Sequence, residues 1–185
     1  MSIRMANLVF SQLGWFACVL SAARGLPWVG VAFVVLWIAV HLALRPPLAR
    51  RREAALLALA GVVGYLSDSA LVLAGIMSFP EPARLLGPSP LWMVALWLNF
   101  AATLNHAMRW LGRSLPLACA LGALGGPMAY LAGERLSAIT LPTGSAWASG
   151  WIAAQWALAT PALVWFAQRP PIARAQIDAA PEPSP

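Results

Sequence analysis

The chain has no lysine, and only 10% of its residues carry a charge. Soluble domains carry about 25%, so this surface cannot be wetted everywhere. Cysteine is scarce as well. Cys18 and Cys119 both lie inside apolar stretches, and no CxxC or Cys/His spacing suits zinc. Both read as small buried hydrophobes. Histidine occurs only at His41 and His106, which excludes on count the multi-histidine di-iron site of membrane desaturases. No internal repeat is visible, which argues against inverted-repeat transporters.

What remains is apolar residue, 61% of 185, with a mean hydropathy of +0.73. It falls in runs of about 20 residues, the length that crosses a bilayer core. The net charge of +6 is arginine alone. A nucleic-acid binder would gather its arginines on one exposed face. Here they sit between apolar runs, as flanking charges do in membrane proteins, so no nucleic-acid partner is expected.

Six runs can be read, over residues 6–23, 28–44, 54–77, 91–111, 115–132 and 145–167. They predict an all-α, polytopic transmembrane bundle of six spans filling residues 1–168. A Pro- and Ala-rich cytoplasmic tail over 169–185 reads as disordered. With the N-terminus inside, nine arginines are cytoplasmic and three (Arg24, Arg84 and Arg135) are outside. That bias sets N-in, C-in topology and points to a bacterial inner membrane. Arg4 and Ser21-Ala22-Ala23 resemble a signal sequence, but cleavage there would remove a span, so the first run is expected to stay. Trp28, Trp92 and Trp147 fall at outer ends, and Trp110 and Trp165 at inner ends, as an aromatic belt does.

Ionisable and polar groups at membrane depth are costly, which makes each a functional candidate. With the third run starting at Ala54, Asp68 is the one acid inside a run. Counting at the helical rise puts it about 21 Å deep, and Asn99 and Gln155 each about 18 Å deep. These three are expected to share a polar layer. Asn99, Thr103 and His106 follow helical spacing along one face, continued by Arg109, with Asn105 beside it. These seven residues are the candidate binding set, and His106 is the candidate general base. Gly125, Gly126 and Pro127 predict a kink in the fifth run. The plainer reading pairs Gly122 and Gly126 as a small-residue packing face.

No metal site and no cofactor is predicted, apart from one option. His41 and His106 fall at one depth and suit the axial positions of a b-type haem.

Four stretches resemble the bacterial domain-of-unknown-function family 2878, a group of small multi-span membrane proteins. They are Gln12-Leu-Gly-Trp-Phe16, the Asp68 region, Thr103-Leu-Asn-His106 with Arg109-Trp-Leu111, and Leu121-Gly-Ala-Leu-Gly-Gly-Pro127 with Tyr130 and Gly133. The resemblance supplies no reaction. It implies a lipid-related role, because members look to be encoded near enzymes that modify membrane fatty acids.

Three functions fit these residues. A lipid-handling protein would bind, present or modify an acyl chain, with Arg109 near phosphates. A proton-coupled carrier would cycle the protonation of Asp68. A non-catalytic subunit or scaffold would bind a membrane-protein partner, or a second copy of itself, through its glycine face.

Overall fold

Prolines and glycines divide the chain into six α-helices. Helix α1 spans Ile3–Ala23, α2 spans Pro27–Ala43, α3 spans Pro47–Leu73 and α4 spans Leu91–Leu104. A short 3-10 turn, Arg109–Arg113, leads into α5, Leu115–Arg135, and α6, Ser145–Gln168, follows. The computed structural model describes residues 3–80 and 87–169. Arg84 and residues 170–185 of the tail expected over 169–185 lie outside the described residues.

Pro27 and Pro47 open α2 and α3, where a missing amide hydrogen costs nothing. Gly25 and Gly75 close α1 and α3 with φ of 71° and 70°. At both closures the next residue's amide reaches back five residues, Leu26 to Ser21 and Ile76 to Leu71. This satisfies carbonyls that the helix end would leave bare.

Six runs in the sequence thus become six helices, and no strand forms among the described residues. The nearest approach to one is an isolated antiparallel pair, Ser78 with Thr140, joined by two hydrogen bonds of 2.9 Å. Three helices are long and apolar enough to cross a membrane: α1, α3 and α5. Helices α2 and α4 are apolar but shorter, at 17 and 14 residues.

Helix α4 is the hub. It packs on α1, α2 and α3, and it buries residues on almost every side, Trp92, Trp97, Ala101 and Ala102 among them. Its polar side chains therefore face protein rather than lipid. Helix α5 packs chiefly on α6. An added Cβ at Gly122 would lie 2.3 Å from the Trp156 carbonyl oxygen, and one at Gly126 would lie 2.4 Å from the Trp156 ring. Gly30 lets α2 cross α1 at similarly close range, against the Cys18 backbone. The small-residue face read from the sequence is thus used inside the chain, to seat α6.

The expectation of one helix over 91–111 fails at Leu104. Both the His106 and Met108 amides bond back to the Thr103 carbonyl, which tightens the chain into turns. The Ala107 amide donates to the Asn7 side chain, and the Asn105 side chain turns to Glu53. The Asn7 side chain from α1 thus takes up a backbone amide that further helix would have paired, while Glu53 from α3 holds the Asn105 side chain. His106 and Arg109 leave the face that carries Asn99 and Thr103.

Candidate functional site

Contacts between helix ends bring α1's start, α2's end, α3's start, α4's end and α6's end together. At this arginine-rich end His41 and Glu53 meet, both almost fully buried. A 2.9 Å hydrogen bond joins His41 Nε2 to Glu53 Oε1. His106 Nε2 points at the same oxygen from 3.6 Å, too far for a good hydrogen bond. Asn105 Nδ2 donates to the other oxygen, Oε2, at 2.8 Å. Phe10 stacks on Trp37, and Trp37 meets the His41 ring edge to face, which closes the cluster on its inner side.

Glu53 is the residue that the sequence reading missed. Its position after Arg50-Arg-Arg52 gives it the look of a solvated flank. Helix α3 begins at Pro47, seven residues before the apolar run starts, so Glu53 is already on a helix and turned inward. A Pro-Pro helix start ahead of the arginines was the available signal. The two histidines do lie at one level. Their rings touch, with centroids 4.9 Å apart, whereas an axial haem pair needs the macrocycle between them.

Two cavities flank this end. The first, about 640 Å³, is a groove between α1 and α5 backed by α4 and α6. Trp15, Phe16, Phe100, Met128 and Trp156 make it mainly apolar, and Phe16 and Met128 on its rim are exposed. The second, about 820 Å³, is polar, and Arg4, Arg52, Arg109, Arg113 and Arg169 line it with Asn105 and His106. Trp110 lines both. Arg169 is held in place by Arg52, which donates to its carbonyl at 2.6 Å, and by the face of Trp165 at 3.5 Å.

The remaining candidates divide. Asp68 is fully buried, and it and Gln155 meet as expected, with Gln155 Nε2 donating to Asp68 Oδ1 at 2.8 Å. Tyr130 donates to the same oxygen at 2.6 Å, and Trp97 Nε1 donates to Oδ2 at 2.8 Å. Asn99 does not join them. It donates to the Ser11 carbonyl on α1 at 2.7 Å, where Gly14 leaves room for it. Thr103 bonds the Phe100 carbonyl one turn back. Asn99 and Thr103 both border the groove, as do Gly125, Gly126 and Tyr130. Helix α5 runs unbroken through Pro127.

The family model described as "Protein of unknown function (DUF2878)" matches residues 4–162. The chain belongs to this family. No curated protein and no solved structure matches it. Three of the four stretches that carried the resemblance border the two cavities: Gln12 to Phe16 on α1, Thr103 to Leu111 at and beyond the end of α4, and Leu121 to Gly133 on α5; the Asp68 region lines neither.

Proposed function

We propose that this protein handles a lipid at a bacterial inner membrane, with six spans and both termini in the cytoplasm. The ligand is an amphiphile. Its tail lies along the groove between α1 and α5, and its anionic head sits among the arginines of the second cavity. One observation carries this reading: an apolar groove and a five-arginine cavity adjoin at Trp110. Both volumes fall in the range of small-molecule sites.

The chemistry supports the assignment. A groove open to its flank admits an acyl chain directly from the bilayer. Guanidinium groups bind phosphate or carboxylate through paired donors. Arginine accumulates at the same end in the sequence, which supports placing that end at the cytoplasmic face. The short helix α4 fits a six-span bundle because it is enclosed by its neighbours and need not meet lipid along a full span.

The experiment is lipid analysis of the protein purified in mild detergent, beside the Arg109→Gln/Arg113→Gln double variant. The wild type should retain an anionic lipid enriched over bulk membrane, and the double variant should lose most of that enrichment. A wild type carrying only the bulk lipid mixture would reject the reading.

A further inference from the structure

We propose that His41, Glu53 and His106 form a divalent transition-metal site, best suited to zinc, whose open coordination position faces the arginine-lined cavity.

The ligand set is two imidazoles and one carboxylate. That is the three-ligand set of zinc sites that keep a fourth position free for water or substrate. The histidine nitrogens converge on a single oxygen, Glu53 Oε1, from 2.9 and 3.6 Å. All three ligand atoms lie within 4.8 Å of one another. Zinc bonds of about 2.0–2.1 Å in a tetrahedron place neighbouring ligands about 3.4 Å apart. The observed spacings bracket that figure, so side-chain adjustments of about an ångström suffice.

Two further features favour a cation. His106 Nε2 is buried and lacks a hydrogen-bond partner, although it is aimed at the carboxylate. A metal between them would satisfy it. Glu53 is also oriented from outside the set, by Asn105 on Oε2, while Trp37 fixes the His41 ring. Such outer partners are typical of built metal sites. The neighbouring arginines are exposed to water, which screens their repulsion of a cation.

The open position follows from burial. His41 is almost fully enclosed behind Trp37, whereas His106 and Asn105 line the arginine cavity. A fourth ligand, water or an anionic oxygen, therefore approaches from that cavity. Metal binding at these three side chains is independent of a bound lipid and is measured without one.

The test uses the full chain without a polyhistidine tag, purified in mild detergent and dialysed against zinc, or against cobalt(II) as a spectroscopic probe. The wild type should hold about one metal per chain, and its cobalt form should show visible bands of a tetrahedral site. His41→Ala and Glu53→Gln should lose the stoichiometric metal. His106→Asn, at the more open edge, provides a variant expected to stay folded, with its monodispersity checked alongside. Asn105→Ala should weaken zinc affinity about tenfold to a hundredfold without abolishing it. A dialysed wild type with no more metal than these variants would overturn the proposal. So would stoichiometric metal that persists in a well-folded His106→Asn. One iron per chain in place of zinc would uphold the site and correct the metal.

Discussion

Asp68 illustrates how an acid is accommodated at depth. Three donors from three helices, Trp97 on α4, Tyr130 on α5 and Gln155 on α6, converge on its two oxygens. The carboxylate therefore ties α3 to the rest of the bundle. Replacing it with alanine orphans the Trp97 and Tyr130 donors, while Gln155 Nε2 keeps its 2.8 Å bond to the Ser67 hydroxyl. Each buried orphan costs about 1–3 kcal/mol, so Asp68→Ala should cost about 2 kcal/mol or more, while Asp68→Asn, which keeps one acceptor oxygen, should cost less. Thermal unfolding in detergent checks the order. Equal stability of Asp68→Ala and wild type would remove its anchoring role. The link to Gln155 was legible in the sequence, because depth along a helix follows from residue count. The links to Trp97 and Tyr130 were not, because depth says nothing of which way a helix faces. For the same reason Asn99 turned out to serve α1 instead of Asp68.

At the scale of elements, α5 carries three nearby glycines with different surroundings. Gly122 and Gly126 lie against Trp156, whereas a Cβ added at Gly125 would meet nothing from the other helices within 4 Å. Gly122→Val should force α5 off α6 and cost about 1–3 kcal/mol, as overpacking does. Gly125→Leu should leave stability close to wild type and instead fill the groove that Gly125 borders. Paired melting and lipid-retention measurements separate the two. Comparable destabilisation by both would mean that the groove wall is packed after all. Helix existence was readable throughout, since apolar runs and their Pro and Gly punctuation are local. The end of α4 was not. It depends on Asn7 and Glu53, which reach it from about 100 and about 50 residues away. Glu53 itself was hidden because composition ends an apolar run where the helix does not end.

For the whole molecule, the proposed orientation places Arg50 to Arg52 and the two-cavity junction at the cytoplasmic face. A single cysteine at Arg51, in a chain whose Cys18 and Cys119 are replaced by alanine, should react with impermeant reagents only after the cells are opened. One at Trp147, which is exposed on α6 at the opposite end, should react in intact cells with a permeable outer membrane. Reversal of that pattern would invert the topology. The family relation covers nearly the whole bundle and leaves the tail aside.

The pair Ser78–Thr140 links the α3–α4 connection to the α5–α6 connection at the end away from the arginine-lined cavity. Its neighbour Ile139 is almost fully buried and borders the groove there. Two backbone hydrogen bonds thus hold a stopper in place. Under the proposed lipid reading, a hydrocarbon tail threaded from Trp110 would meet a fixed floor, and the distance between the two would act as a gauge of chain length.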